Sequence, residues 1–381
     1  MSEHETRLRR REFLALTTTG LAAIVSHGRA RNVWSAEPRV EDGIAWYDVR
    51  DWGVEGRGWT DTARYYDRLP AKAEGTVRQA VWNLSRHSAG MSTRFETNAT
   101  SIRARYKLLS SGLAMPHMPA TGVSGLDLYA RNADGQDRWL AVARPTAQEM
   151  SLTLAADIDP LPGAARRRYT LYLPLYNGVE SLEIGVSADA DFQPVPPRTD
   201  KPLVFYGTSI MQGACASRPG MSITGILGRR LRRPTINLGF SGNGKMEAEV
   251  GALLTELDPC VYVIDCLPNM QADDVAQRTE PLARQLRAAR PDTPILLVED
   301  RTYGFAPFRK SARERHATAR TALRSAYENL LGAGFTELYY LEGDGQLGDD
   351  GEATTDGSHP NDLGMVRYAD AYEGVLREIL D

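Results

Sequence analysis

The chain has 381 residues, a formal net charge of −4, 42% hydrophobic residues and 25% charged residues. That length exceeds one typical core and points to two domains. The small net charge excludes nucleic acid as a global electrostatic partner, and the 40 arginines and 5 lysines are scattered rather than gathered into a patch.

The N-terminus carries Arg10-Arg11-Glu12-Phe13-Leu14, followed by an apolar run from Phe13 to Val25 and small residues around Gly28-Arg29-Ala30. This is the form of a twin-arginine export signal with a cleavage site. The run is shorter than the roughly 20 residues that span a bilayer. Residues 1–30 are therefore expected to be a removed signal peptide, with retention as an anchor helix the alternative. The mature chain is expected to be soluble and periplasmic or extracellular, with no stable membrane span. Cys215, Cys260 and Cys266 form an odd set without metal-ligand spacing; they make no disulfide framework, leave a single bridge open, and read best as small buried hydrophobes.

Residues 31–197 read as a β-sandwich. Short segments with partial period-2 alternation lie at Val77–Leu84, Met91–Glu96, Ser101–Leu108, Gly125–Ala130, Trp139–Val142, Arg168–Leu173 and Ser181–Val186. Turn residues separate them, among them Asn98, Asn132-Ala133-Asp134-Gly135, Leu161-Pro162-Gly163 and Asn177-Gly178. The proline-rich stretch Gln193–Arg198 reads as a stiff linker.

From Lys201 the texture alternates. Apolar strands are predicted at Leu203–Tyr206, Thr235–Leu238, Val261–Asp265, Ile295–Val298 and Thr336–Leu341. Helices are predicted over Met221–Arg232, Glu247–Leu257, Asp273–Ala289, Ala312–Ala333 and Asn361–Leu380. Residues 198–381 thus read as a three-layer α/β/α domain with its site at the carboxyl ends of the strands.

The chemistry-bearing residues fall at those ends. Gly207-Thr208-Ser209-Ile210 follows the first strand, where a tight turn can expose a serine hydroxyl; the hydroxyl needs a base to become a nucleophile. Asp356-Gly357-Ser358-His359 supplies a histidine and, three residues earlier, a carboxylate to fix its tautomer. Gly239-Phe240-Ser241-Gly242 and Pro268-Asn269 follow the second and third strands, and their N–H groups suit an oxyanion. Each block alone has a bland reading as a cap or turn.

Together, in this order, the four blocks resemble the SGNH/GDSL hydrolase superfamily over residues 200–381. The resemblance implies Ser209 as nucleophile, Asp356 and His359 as its partners, and Ser209, Gly242 and Asn269 as oxyanion donors, with Gly239 the alternative glycine. Gly-Thr-Ser-Ile and Leu-Pro-Asn-Met depart from the family's usual Gly-Asp-Ser-Leu and Gly-x-Asn-Asp. Gly125-Leu126-Asp127-Leu128-Tyr129 is similar to the Gly-x-Asp-Leu-Tyr motif of a β-sandwich module that precedes one branch of these hydrolases. That branch implies exported proteins, carbohydrate esterases and some acyltransferases.

The expected activity is hydrolysis of a carboxylic ester through an acyl-enzyme. No metal or organic cofactor is implied, because the constellation is complete without one. The expected substrate is a small-molecule ester or an acylated carbohydrate. Short acyl chains are expected because no long apolar insertion could serve as a lipase lid. An acyltransferase and a degenerate carbohydrate-binding protein stay open as alternatives, as does the oligomeric state. The loop Met115-Pro116-His117-Met118-Pro119 reads either as a substrate wall or as interdomain packing. His87 and His316 read as ordinary polar residues.

Overall fold

The computed structural model describes residues 37–381, so the expected export signal at residues 1–30 lies outside the described residues. The first half carries β1 (Arg39–Glu41), β2 (Ile44–Asp48), α1 (Gln79–Ser85), β3 (Ser92–Thr97), β4 (Ile102–Leu108) and α2 (Ala120–Val123). It continues with β5 (Asp127–Arg131), β6 (Asp137–Val142), β7 (Glu149–Ala155), β8 (Arg167–Tyr172), β9 (Val179–Ser187) and β10 (Phe192–Val195). These strands form two antiparallel five-stranded sheets, in the orders β1-β2-β9-β4-β7 and β10-β3-β8-β5-β6. Alternate residues of the strands, such as Ile102, Ala104, Tyr106 and Leu108 on β4, turn inward to one core with Phe95, Leu128, Tyr169 and Ile184.

Two expectations are corrected here. Val77–Leu84 was read as a strand, but most of it is α1. Its apolar residues Val77, Val81, Trp82 and Leu84 recur at helical spacing, and they pack against Val204, Tyr206 and Ile236 of the following parallel sheet rather than inside the sandwich. The stretch Gln193–Arg198 does not start as a free linker. Gln193–Val195 lie in β10, with Pro194 opposite Phe95. An edge strand tolerates proline because its outward N–H has no ladder partner to lose.

The second half carries β11 (Leu203–Gly207), α3 (Ser209–Gln212), α4 (Ile223–Arg230), β12 (Thr235–Gly239), α5 (Ala248–Leu254), β13 (Val261–Asp265) and α6 (Ala272–Ala289). β14 (Ile295–Val298), α7 (Lys310–Gly332), β15 (Leu338–Leu341) and α8 (Asp362–Leu380) complete it. The five strands are parallel, in the order β12-β11-β13-β14-β15. β11 and β13 are buried along their whole length, as their uninterrupted apolar runs require. One face of the sheet packs on α5, α6 and α7, with α1 joining them; the other packs on α3, α4 and α8. This is a three-layer α/β/α fold with a β-sandwich before it.

The register explains why a site forms. Gly207 pairs with Gly239 on one side and with Asp265 on the other. Three strands therefore end at one level, and the turns beginning at Thr208, Phe240 and Cys266 leave from the same edge.

Candidate active site

Ser209 opens α3 directly after β11, with Thr208 as N-cap. Gly207 is needed here for space: a β-carbon at this position would lie 2.8 Å from the Asp265 carbonyl oxygen and 2.8 Å from the Met211 side chain. Ser209 Oγ is 2.9 Å from His359 Nε2. His359 Nδ1 is 2.7 Å from Asp356 Oδ2, while Asp356 Oδ1 accepts the backbone N–H groups of Ser358 and His359 at 3.0 and 2.7 Å. With Nδ1 donating to the carboxylate, Nε2 carries the lone pair that faces the serine. Burial works against the charge on Asp356, but the N–H and ring of His359 and the N–H of Ser358 outweigh it and draw the carboxyl down to about 2.

Asn361 is the N-cap of α8 and accepts from Gly364 N–H at 3.1 Å. The Asp-x-x-His turn is therefore closed by the start of the last helix. Arg301, wholly buried, donates to the Ser358 carbonyl at 2.7 Å and to Ser358 Oγ at 2.6 Å. Its neighbour Asp300 pairs with Arg301 and with Arg315 on α7, the latter at 2.7 Å. Arg315 in turn donates to the Pro268 carbonyl at 2.9 Å. One buried carboxylate after β14 thus ties the turn holding Asn269 to the turn holding His359.

Gly242 sits at the tip of the turn after β12 with φ +69°, a left-handed conformation that glycine adopts at little cost. The turn is held from below: Gln212 on α3 accepts the Ser241 N–H through Oε1 at 3.0 Å. Gln212 Nε2 donates to the Leu175 carbonyl and lies 3.1 Å from His87 Nδ1. The alternative glycine, Gly239, gives its N–H to Asn237 Oδ1 at 2.9 Å, so that donor is spent. The Asn269 amide matches its surroundings when Oδ1 accepts from Asn243 and Gly244 N–H, at 3.0 and 3.2 Å, leaving Nδ2 to donate elsewhere.

The first half of the chain reaches into this site. Arg68 is wholly buried and donates to four carbonyls: Leu84 (2.7 Å), His87 (2.9 Å), Asn237 (3.0 Å) and Gly239 (2.7 Å). Burial lowers its guanidinium to about 9. Tyr176 donates its hydroxyl to the Ser209 carbonyl at 3.0 Å. Asp127, the acid of the Gly-x-Asp-Leu-Tyr motif, is wholly buried; it accepts from Trp139 Nε1 (3.0 Å), Arg218 (2.9 Å) and Gly220 N–H (2.8 Å). Met115 and Met118 exchange backbone hydrogen bonds at 3.0 Å and present His117, whose ring lies 5.7 Å from that of His359. Cys215, Cys260 and Cys266 are free thiols, with Cys215 and Cys266 buried.

His87 and His316, read as ordinary polar residues, both have partners. Burial first, and Arg68 second, push His87 down to about 3, so it is a neutral acceptor for Gln212. His316 is buried edge-on against Tyr303, with ring centroids 4.3 Å apart.

A 2-1-3-4-5 parallel sheet with a serine, a histidine and an aspartate hydrogen-bonded at its carboxyl edge defines an SGNH-type hydrolase fold. Residues 200–377 match the GDSL-like lipase/acylhydrolase family, and residues 44–192 match the GxDLY domain, the N-terminus of SGNH-hydrolase-type esterases. A crystal structure from Bacteroides ovatus, described as a GDSL-like lipase, shares 34% identity over 88% of this chain and 98% of its own, with a TM-score of 0.83. The chain belongs to the GDSL-like lipase/acylhydrolase family and is a carboxylic ester hydrolase. Two more distant structures share the fold. The salicylyl-acyltransferase SsfX3 of a tetracycline biosynthetic pathway is 18% identical over 91% of this chain and 94% of its own, with TM-score 0.62. The acetyl xylan esterase Est2A of Butyrivibrio proteoclasticus is 13% identical over 88% and 98%, with TM-score 0.53. Among curated proteins, none matches the chain.

Proposed function

We propose that the chain hydrolyses short-chain, chiefly acetyl, esters of carbohydrates through an acyl-enzyme on Ser209. The observation that carries the reading is the continuous line from Ser209 Oγ through His359 to Asp356, at 2.9 and 2.7 Å. His359 Nε2 takes the hydroxyl proton as Oγ attacks the ester carbonyl, and Asp356 stabilises the imidazolium that forms. The backbone N–H groups of Ser209 and Gly242 and the Asn269 amide receive the oxyanion. Collapse expels the alcohol, which takes its proton from His359. Water activated by the same imidazole then releases the acid.

The sugar is supported by a cavity of 610 Å³ beside the His359 turn. Thr354 of that turn lines it together with Tyr303, Phe308 and the polar side chains of Thr302, Asp344 and Asp350. Phe308 is 89% exposed and offers a flat apolar face among hydroxyls and carboxylates, a mixture suited to a sugar ring. Export by the twin-arginine route belongs to the same proposal and rests on Arg10-Arg11 and the apolar run after them.

The test has two arms. Ser209→Ala should lose both fluorophosphonate labelling and aryl acetate hydrolysis while its melting temperature holds; undiminished turnover refutes the nucleophile. The specificity constant kcat/KM should then be measured from acetyl to palmitoyl aryl esters, with acetate release from acetylated oligosaccharides. A lipase could gain up to about 0.8 kcal/mol per added methylene. A maximum at palmitoyl removes the short acyl group, and no release from any acetylated glycan removes the sugar. Acyl transfer to an added acceptor alcohol in preference to water would replace hydrolysis with transfer.

A further inference from the structure

His117, Cys215 and His359 come from three separate segments: the loop between the two methionines, the turn after α3, and the turn before α8. One donor atom from each lies within 4.8 Å of the other two. We propose that these three residues form a binding site for a thiophilic divalent cation, zinc above all, and that filling it switches the enzyme off. The inhibitory half rests on the role given to His359 above; the binding half does not.

The donor set is the first argument. Two imidazoles and one thiolate are borderline-soft ligands of the kind zinc takes in tetrahedral geometry, at about 2.0–2.1 Å to nitrogen and 2.3 Å to sulfur. Those bond lengths place donors about 3.3 to 3.6 Å apart. From a spacing of up to 4.8 Å the site must therefore contract by about 1.5 Å at most, within reach of side-chain rotation.

The second argument is how the ligands are already held. His359 Nδ1 faces Asp356 at 2.7 Å, so Nε2 is the nitrogen left for a metal. A carboxylate fixing the far nitrogen of a zinc-bound histidine is the usual outer support of such sites. Among the described residues, nothing hydrogen-bonds the His117 ring nitrogens. The Cys215 thiol has a replaceable contact, donating to the His117 carbonyl at 3.4 Å. Binding replaces that S–H with a metal–sulfur bond and releases the proton to solvent. It also replaces the 2.9 Å contact between Ser209 Oγ and His359 Nε2 with a metal–nitrogen bond. The Thr355 side chain, which also hydrogen-bonds the Cys215 sulfur, can keep donating to the thiolate, and the fourth position is left to water or to the Ser209 hydroxyl. With its lone pair on the metal, His359 can no longer take the serine proton.

Cobalt(II), whose bond to a thiolate has its own charge-transfer absorption, reads binding without activity. Titrated into Ser209→Ala, it should give that absorption with one equivalent bound; Ser209→Ala/Cys215→Ser should lack it. Zinc titrations of aryl acetate hydrolysis, each referred to that variant's own metal-free rate, should show wild type inhibited. Cys215→Ser and His117→Ala should each need about tenfold more zinc or beyond, since even outer-sphere changes cost 10–100-fold in metal affinity. His117→Ala changes a loop side chain and serves if Cys215→Ser folds poorly. No thiolate absorption, or absorption that survives Cys215→Ser, overturns the site. Equal zinc sensitivity in all three proteins puts the metal elsewhere and overturns the switch. If the metal-free enzyme cleaves no ester, the function proposed above fails while the cobalt titration still decides the site.

Discussion

Asp265 ends β13 four residues before Asn269, and it is wholly buried. Oδ2 accepts the Tyr372 hydroxyl at 2.8 Å, while among the described residues Oδ1 has no hydrogen-bond partner. Burial is the largest influence on this carboxyl and raises it from 3.8 to about 7; the Tyr372 hydrogen bond pulls the other way. Below about 3.8 the group is protonated in both folded and unfolded chains and costs nothing. Between 3.8 and about 7 the unfolded chain is ionised while the folded one holds its proton, so stability falls as pH rises. Above about 7 both are ionised and the penalty is constant. At about 1.36 kcal/mol per pH unit, the gap between 3.8 and 7 sets a ceiling of about 4 kcal/mol. Asp265→Asn removes the ionisation while keeping an acceptor for Tyr372, though its new N–H groups could cost about 1–3 kcal/mol if they find no partner. That cost does not vary with pH. The measurement is urea unfolding of both proteins from pH 5 to pH 8. The variant should gain up to about 3 kcal/mol on wild type across that range, whatever its offset at pH 5. Parallel stability curves would show that Asp265 is not held protonated by burial, and the reasoning would fall.

Three other outcomes are expected. Asn269→Ala should lower kcat by about 10²–10³ with a smaller change in KM, because an oxyanion bond strengthens in the transition state; a raised KM at constant kcat would make Asn269 a ground-state binding residue. Asp127→Ala strips the partners from Arg218, Trp139 and Gly220 N–H, and breaking such a buried pair costs about 3–5 kcal/mol; a loss under 1 kcal/mol in denaturant unfolding contradicts the bridging role. Arg10→Lys with Arg11→Lys should leave precursor in the cytoplasm of the producing cell, and normal processing of that variant would remove the twin-arginine assignment.

The parallel domain was legible because each buried strand is an unbroken apolar run, and β11 to β14 start within a residue of where those runs start. The sandwich was harder. β1, β2, β7 and β10 were not anticipated: β1 is only three residues long, and β7 alternates with just two buried positions. The segment 77–84 misled because five apolar residues in eight fit either period, and the deciding fact is packing against a sheet about 120 residues onward. At the site, the residues proposed to carry the chemistry stood out by type and order. Those that hold them in place did not. Arg68, Gln212, Arg301 and Arg315 are polar residues whose partners lie far away in sequence or are plain backbone carbonyls. Nothing in their neighbours marks them as buried. Asp127 was read as part of a strand, which it is; that its carboxylate crosses to Arg218 and Gly220 is visible only in three dimensions.

The four carbonyls gathered by Arg68 and the hydroxyl that Tyr176 lends to Ser209 bear on how such a gene can be rearranged. Both donors are encoded before residue 200, yet the groups they satisfy include the end of β12 and the first residue of α3. A fragment starting at residue 200 would keep every residue of the proposed reaction and lose the clamps beneath two of its turns, along with the apolar cover that Trp59, Val81 and Trp82 give to the sheet. The sandwich is thus no passenger fused to an independent enzyme. Exchanging it for another binding module, as is often done to retarget hydrolases, would have to carry over Arg68, Tyr176 and the α1 face, or the grafted chain would fold around an unfinished active site.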